Sequence, residues 1–272
     1  MVSIELDPVL AAAAALRLAG RWEVALSLLA ATEAPSDPDR LALAMAIAET
    51  EVDASFWRED LQPRNGLDRA AALLDAAAAD PGLDKMVLAE IAWQLDYLRM
   101  RRRYNAALHA RETSAGPKLD DWAERLRATA PDSRWAGWAA FFGGVIADNL
   151  LEDPATAHER YTLARAAAES SGDELLESYA LRHLGDHAHT AGDLNAARAA
   201  WERSISVRER LGFVPGTVAQ RLTLAELRLA EGDGPGAASL ATDVARAARA
   251  MRLPAGLVGA ADEVAAKARE TR

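Results

Sequence analysis

Apolar residues recur with a helical period along the whole chain, and this pattern constrains the fold more than any other feature of the sequence. No stretch alternates β-branched and polar residues over several positions, so no strands are expected. Ala makes up about a quarter of the residues, and Ala has the highest intrinsic helix propensity. The sequence therefore predicts an all-α protein.

Short turns divide this pattern into about a dozen helices. Many turns place a helix-ending Gly or Pro beside an Asp that caps the next helix, as at 153–154, 171–173 and 192–193. Loops this short join antiparallel neighbours. Consecutive helices are therefore expected to form hairpins.

A small residue recurs near the start of the second helix of each predicted hairpin, often with a large residue four positions later. It allows two helices to approach closely, and a large residue such as Leu29 or Trp201 fills the space above it. The last three small residues are spaced 40 residues apart. The six positions are Ala25, Ala70, Ala107, Ala157, Ala197 and Ala237.

One unit carries most of a known repeat pattern. It reads Leu181-x2-Leu184-Gly185-x2-Ala188-x3-Gly192-x-Leu194-x2-Ala197-x3-Trp201-x2-Ser204. This pattern resembles the tetratricopeptide repeat, with Ala188 in place of the usual Tyr. The hairpin from Val218 to Arg249 matches more loosely, and the hairpins before it in the N-terminal half keep mainly the second-helix pattern.

The resemblance implies one α-solenoid over residues 1–272, because a single repeat cannot bury its apolar face alone. The expected architecture is a right-handed superhelix of about six antiparallel helix hairpins and a C-terminal capping helix. The best-matching repeats span 173–211 and 214–251, divergent repeats occupy 8–170, and the cap is 254–272.

Composition excludes several classes of function. The chain has no Cys, which excludes disulfides, thiolate metal sites and cysteine nucleophiles and fits a reducing cytoplasm. Its net charge of −10 repels phosphate backbones and anionic lipids, so neither nucleic acid nor membrane is an expected partner. Two acids precede the first apolar run, unlike a signal peptide. The basic residues are almost all Arg, which with the Ala content points to an actinobacterial genome.

The segment 177–189 is the first candidate site, since it holds three of the five His. By the repeat resemblance, Tyr179, Arg182, Asp186 and His189 line the concave groove, and His187 packs between hairpins. His183, one turn before His187, joins the candidate polar cluster. The two His have metal-chelating spacing, but the Glu of helical zinc sites is missing between them, so no metal is expected. The alternative for Arg182 and Asp186 is a helix-stabilising ion pair.

Aromatic residues form the second candidate site, in segment 135–149. The register places Trp138, Phe142 and Asn149 on the concave side, where they suit a peptide or an apolar small molecule. The alternative is core between hairpins. Gly143-Gly144 inside a helix indicates close packing or a ligand near the backbone.

Three further charged features lie in the N-terminal half. Asp96 and Arg99, on a helix predicted from Leu83 to Arg103, occupy equivalent groove positions, or else a solvated face. Arg101–Arg103 at that helix's end would complement its carbonyl dipole. The acidic run of Glu49, Glu51 and Asp53 is expected to be a solvated face.

No Walker A loop, Gly-x-Ser-x-Gly turn or dinucleotide fingerprint occurs beside a predicted strand. The favoured function is a non-enzymatic scaffold that binds a peptide or protein in its groove, with no cofactor. One alternative is a small-molecule-binding protein or unusual enzyme that uses the His, Arg and Asp cluster with the aromatic residues. Another is a regulatory sensor module. An open trough favours a peptide, whereas a superhelix closed by its N-terminal hairpins favours a small ligand or catalysis.

Overall fold

The computed structural model describes residues 5–58, 65–80 and 82–270, and every regular element in those ranges is helical. The predicted all-α class is confirmed. A 3-10 turn, Thr113–Ala115, precedes α6, and a π-helical turn, Ala147–Leu151, follows α7. None of the described helices is long and apolar enough to cross a bilayer. They are α1 (Leu6–Leu18), α2 (Trp22–Ala30), α3 (Asp37–Trp57), α4 (Gly66–Ala78), α5 (Lys85–Ala110), α6 (Gly116–Ala128), α7 (Ser133–Ile146), α8 (Pro154–Ser171), α9 (Glu174–Thr190), α10 (Leu194–Leu211), α11 (Val214–Ala230), α12 (Gly234–Met251) and α13 (Ala255–Glu270).

Gly-Asp pairs end one helix and begin the next at 172–173, 192–193 and 232–233. The three Gly have φ of 70°, 83° and 86°, in the left-handed region where a side chain is disfavoured. Each following Asp accepts a hydrogen bond from the backbone N–H three residues later. These local signals explain why the helix boundaries were readable from the sequence.

Each helix packs against the next along the chain, as expected for stacked hairpins. The six small residues of the sequence pattern are all fully buried. Tyr161 and Trp201, four residues after Ala157 and Ala197, are buried as well. The small and large positions of the pattern therefore lie between helices.

The third predicted hairpin has its second helix in the wrong place. Ala107 lies near the end of α5, which runs on to Ala110, seven residues past the predicted end at Arg103. The helix that follows is α6. The apolar and helix-forming residues from Tyr104 to Ala110 continue the helix, because no Gly or Pro stops it there.

Close packing explains the two adjacent Gly of α7. A Cβ on Gly144 would lie 2.6 Å from Cε1 of the Tyr161 ring, and one on Gly143 would lie 3.1 Å from Cδ of Arg160. Arg160 donates a hydrogen bond to the Gly143 carbonyl at 3.0 Å. Both Gly therefore let α8 approach α7. Close packing, and not a ligand near the backbone, explains them.

The odd-numbered helices form a second set of contacts. α1 touches α3, α3 touches α5, α5 touches α7, α7 touches α9, and α11 touches α13, whereas α9 and α11 have no comparable contact and are joined through α10. We call α1, α3, α5, α7, α9, α11 and α13 the odd-helix layer. It corresponds to the first helices of the hairpins, on which the predicted groove residues lie.

The N-terminal hairpins touch the C-terminal ones. Trp57 at the end of α3 packs edge-on against Phe213, with ring centroids 6.3 Å apart. A Cβ on Gly20 would lie 2.6 Å from Cε of Met251 in α12. Trp22 is buried in the same apolar cluster as residues of α11, α12 and α13. The N-terminal helices and the C-terminal helices are therefore in direct contact.

Candidate functional site

A group of partly exposed polar residues lies on the C-terminal half of α9. The Arg182 guanidinium lies 3.3 Å from the Asp186 carboxylate, and each side chain is about one-third exposed. Trp201 of α10 donates its indole N–H to Asp186 at 3.0 Å. The ring of His189 lies 5.4 Å from the Trp201 ring. Arg182, Asp186 and His189 thus gather around one side of Trp201.

Glu226 of α11 extends this group toward α13. Burial raises the pKa of Glu226, although the charges of Arg182 and His189 act in the opposite direction. Burial likewise raises the pKa of Asp186 against the effect of Arg182. Glu226 also borders a shallow cavity of about 350 Å³, together with Leu229, Ala230, Ala260, Glu263, Val264 and Lys267. We call the cavity and the four polar residues Arg182, Asp186, His189 and Glu226 the α9–α11–α13 surface.

His183 and His187 pack between helices. His183 stacks on Tyr161 with ring centroids 4.7 Å apart, and burial lowers its pKa well below the usual range, with Arg182 and Arg208 adding to the effect. His187 lies 3.1 Å from the carboxylate of Asp148, which also accepts the hydroxyl hydrogen bond of Tyr161 at 2.7 Å. In the described part of the chain, no three His, Asp or Glu are grouped as metal ligands.

The aromatic candidates lie in the core. Trp138 and Phe142 are 9% and 8% exposed, and Trp138 donates its indole N–H to Asp173 at 2.9 Å. Tyr179 is half-buried and bridges Trp138 and Phe213, with centroid distances of 5.6 and 5.4 Å. These rings fill the space between hairpins, which was the alternative to a groove wall.

The remaining candidates are divided among other contacts. Asn149 is exposed and donates to the Tyr104 hydroxyl at 2.8 Å. Asp96 accepts the indole N–H of Trp122 at 2.9 Å and so connects α5 to α6. Arg99 is exposed on α5. None of the contacts described for these three residues joins them to the α9 group.

A buried ion group escaped the sequence analysis. Asp53 of α3 pairs with Arg17 of α1 and Arg101 of α5, and all three side chains are less than one-fifth exposed. Burial opposes ionisation of Asp53, but the two guanidinium groups outweigh it and hold the pKa of Asp53 below its usual range. Glu49 contacts Arg17 at 3.1 Å.

Two sequence expectations are corrected by this group. Asp53 does not lie on a solvated face, because it is paired with Arg101. Arg101 lies well inside α5 and not at its C-terminal end, so it does not interact with the carbonyl dipole of that helix end. One signal was present in the sequence. Arg17 follows Val9 and Ala13 at intervals of four residues, so the sequence places a charged residue on an apolar helix face.

Arg208 is a second buried cation that the sequence analysis missed. It is 2% exposed, and its guanidinium lies 5.2 Å from the ring centre of Tyr179 and 5.4 Å from that of Phe213. It donates to the Gly216 carbonyl at 2.9 Å. Burial lowers the pKa of Arg208 to about 10, so it remains a cation at neutral pH. Arg208 of α10 therefore contacts both Tyr179 of α9 and Gly216 of α11.

A larger cavity, of about 500 Å³, lies on the N-terminal half of the odd-helix layer. We call it the α1–α7 cavity. Apolar side chains line most of it, and Arg17, Glu49 and Arg134 contribute charge. The full lining is Leu10, Ala11, Ala13, Ala14, Arg17, Ala42, Met45, Ala46, Glu49, Thr50, Gln94, Tyr97, Leu98, Arg134 and Trp135.

Comparison with known proteins does not assign this chain to a family. No protein-family model matches it, and no curated protein matches it either. The chemistry of the α9–α11–α13 surface and of the α1–α7 cavity must therefore be argued from their own residues.

Proposed function

We propose that the protein is a tetratricopeptide-like scaffold that binds an extended segment of a partner polypeptide along the α9–α11–α13 surface. One observation carries the proposal. Arg182, a partly exposed cation on α9, acts on Glu226 of α11, and Glu226 borders the shallow cavity. The rest of the cavity lining is apolar at Leu229, Ala230, Ala260 and Val264 and charged at Glu263 and Lys267. A cation near a partly apolar depression matches a peptide that carries an acidic residue near a large apolar one.

The proposed scaffold is a right-handed superhelix of about six hairpins, with α13 as its cap. The contacts that run from α1 through α3, α5 and α7 to α9, and the contact between α11 and α13, support it, because helices that approach one another on one side of a stack make that side concave. Five of the six buried Ala positions lie near the start of a second helix and support the repeat register, whereas Ala107 lies near the end of α5. The proposed binding surface then lies on the concave side, where solenoid proteins present their binding residues.

Arg182 is the proposed anchor for a carboxylate of the partner. Its guanidinium presents a planar fork of donors, and one-third of the side chain stays exposed beside Asp186. A chain of net charge −10 repels an acidic partner at long range, so a local cation is needed to hold one. An apolar side chain next to that carboxylate would enter the cavity between Leu229 and Val264.

A display library of random peptides tests this proposal, with the purified protein as bait. We expect enriched peptides to pair an acidic residue with a nearby large apolar residue. Titration calorimetry with an enriched synthetic peptide should give at least a tenfold weaker Kd for Arg182→Ala, because a charge-assisted hydrogen bond is lost. The melting temperature should change by only a few degrees, since the Arg182–Asp186 pair is partly exposed.

Two matched controls locate the effect. Arg203 also lies 3.3 Å from a carboxylate, that of Glu177, but it is on α10, outside the proposed surface. Arg203→Ala should bind the peptide normally. Ala230→Leu fills the shallow cavity and should weaken binding, whereas Ala250→Leu, at an exposed position on α12 outside the cavity, should not. Equal affinities for Arg182→Ala and Arg203→Ala would show that the surface is misassigned.

A groove enzyme is the second candidate, and two observations favour it. The N-terminal hairpins touch the C-terminal ones, and closure of this kind suits a small ligand or catalysis better than an open trough does. Asp186 and Glu226 both have raised pKa values beside Arg182, and carboxyl groups of this kind serve as general acids. A panel of nitrophenyl esters, phosphates and glycosides tests this candidate. Turnover by the wild type that is lost in both Asp186→Asn and Glu226→Gln would favour it over the scaffold.

A further inference from the structure

The α1–α7 cavity combines a mainly apolar lining with one largely exposed cation. Its volume of about 500 Å³ lies in the range of pockets that hold small ligands. Small side chains on α1 and α3, such as Ala14 and Ala46, leave the space open, and Leu10 and Met45 add apolar surface. Arg134 lines the cavity from the first turn of α7, and its side chain is 47% exposed.

Two contacts hold the Arg134 side chain in place. Its Nε donates to the Asp173 carboxylate at 2.7 Å, and its guanidinium covers the Trp135 ring at 4.9 Å. Asp173 is itself fixed, because it also accepts the indole N–H of Trp138 and the backbone N–H of Leu176, each at 2.9 Å. The guanidinium therefore has a defined position beside Trp135, which also lines the cavity.

These contacts leave the terminal amino groups of Arg134 available. None of the hydrogen bonds or ion pairs between described residues uses its Nη1 or Nη2. Arg17, the other cation of the lining, differs, because its Nη1 pairs with Asp53 and its Nη2 with Glu49. Arg134 thus presents a fixed fork of donors, and such a fork binds a carboxylate through two parallel hydrogen bonds.

The charges of the lining favour an anionic head group. A cationic head group would be repelled by Arg134 and would have to displace Arg17 from Glu49, the carboxylate of the lining. An uncharged head group would make only neutral hydrogen bonds, which are weaker than charge-assisted ones. A carboxylate therefore gains most from Arg134, and the apolar side chains can accept the rest of the ligand.

We propose that the α1–α7 cavity binds a small monocarboxylic acid with an apolar body, whose carboxylate pairs with the terminal amino groups of Arg134. The apolar body packs against the small side chains of α1 and α3 and the ring of Trp135. This site is independent of the proposed peptide surface, because the α9–α11–α13 surface shares no lining residue with it.

Calorimetric titration of the full chain with octanoate and with octanol tests the head group, because the two ligands share one alkyl chain. Octanoate should bind at one site per chain and about tenfold tighter than octanol, since its carboxylate adds charge-assisted hydrogen bonds to Arg134. The net charge of −10 acts against octanoate, so a preference for it cannot come from the overall charge of the protein.

Arg134→Gln should abolish the preference for octanoate and leave the affinity for octanol unchanged, so octanol binding also checks that the cavity still forms. Arg165→Gln is the matched control. The Arg165 side chain is 49% exposed, and its Nε lies 2.9 Å from the Glu169 carboxylate, but Arg165 is on α8 and does not line the cavity. This control should keep the wild-type preference.

Two substitutions on α1 locate the apolar body of the ligand. Ala11 and Ala12 are both exposed, but only Ala11 lines the cavity. Ala11→Leu should weaken the binding of both ligands about tenfold, because the added side chain takes apolar surface from the ligand. Ala12→Leu should leave both affinities unchanged. Since both positions are exposed, both variants are expected to fold like the wild type.

Three results would overturn the proposal: equal affinities of the wild type for octanoate and octanol, a preference for octanoate that persists in Arg134→Gln, or equal octanoate binding by the Ala11→Leu and Ala12→Leu variants. If Arg134→Gln does not fold, the first and third comparisons still decide. The Arg182→Ala variant separates this site from the proposed peptide surface. It should bind octanoate like the wild type, even if it binds no peptide.

Discussion

Gly185 of α9 lies so close to the indole of Trp201 in α10 that a Cβ at position 185 would be 2.6 Å from the ring's Cδ1. Trp201 is 3% exposed, and Ala197, one turn earlier, is fully buried. The three residues belong to the unit that most resembles a tetratricopeptide repeat. Here the sequence pattern and the contact between helices describe the same interaction.

Gly185→Ala should destabilise the protein by about 1–3 kcal/mol, because the new methyl group would overlap a rigid ring in a packed core. Urea unfolding followed by circular dichroism measures the change. Gly259→Ala in α13 is the control, since a Cβ there meets nothing within 4 Å. That variant should gain about 0.5–1 kcal/mol from the better helix propensity of Ala. Similar free energies for the two variants would contradict the packing described here.

Two further substitutions test the same contact from α10. Ala197→Leu should cost about 1–3 kcal/mol by overpacking, and Trp201→Ala about 3–5 kcal/mol by opening a cavity. Ala199→Leu, at an exposed position on the same helix, should be close to neutral. If all three variants have the melting temperature of the wild type, the repeat register at this hairpin is wrong.

Asp53→Ala should destabilise the protein by about 3–5 kcal/mol, since it leaves Arg17 and Arg101 buried without their shared carboxylate. Asp262→Ala is the comparison, because Asp262 pairs with Arg249 and both are about half exposed. Loss of that pair should cost about 0–1 kcal/mol. Denaturant titrations of both variants give the two values, and an Asp53→Ala variant as stable as Asp262→Ala would refute a structural role for the buried ion group.

Acid should weaken the Asp53 group in the wild type. The pKa of Asp53 is lower in the folded protein than in the unfolded chain, where it is about 3.9. Its contribution is therefore complete above that unfolded value and is lost as the pH falls through the folded value. Urea midpoints measured from about pH 6 down to pH 2.5 should fall more steeply for the wild type than for Asp53→Asn. Parallel profiles would show that Asp53 does not titrate in this way.

His183 should make stability depend on pH in a different range. Burial against Tyr161 lowers the pKa of His183, so below about pH 6.5 the unfolded chain binds a proton there that the folded chain does not. Stability should then decline as the pH falls from about 7 to 5. His183→Phe keeps a ring on Tyr161 and should make the profile flatter. A steeper or unchanged slope would show that His183 is not the responsible group.

Much of the candidate surface on α9 was visible in the sequence. Arg182, Asp186 and His189 follow the helical period from the Leu184-Gly185 pair, so their shared face depends only on residues within two turns. Their neighbours did not follow from that pattern. Glu226 is 40 residues beyond Asp186, and it joins the group only because α10 packs against both α9 and α11.

The sequence by itself determined most of the helices, several of their caps and five of the six small positions where hairpins close, because each depends on residues a few positions apart. Only the tertiary structure decided that Asp53 is buried between Arg17 and Arg101, 36 and 48 residues away. It also decided that Trp138 and Phe142 pack in the core, and that Gly20 reaches Met251. These outcomes depend on how helices distant in the chain are placed against one another. That placement is the result of all the interhelical contacts together, which no local pattern encodes.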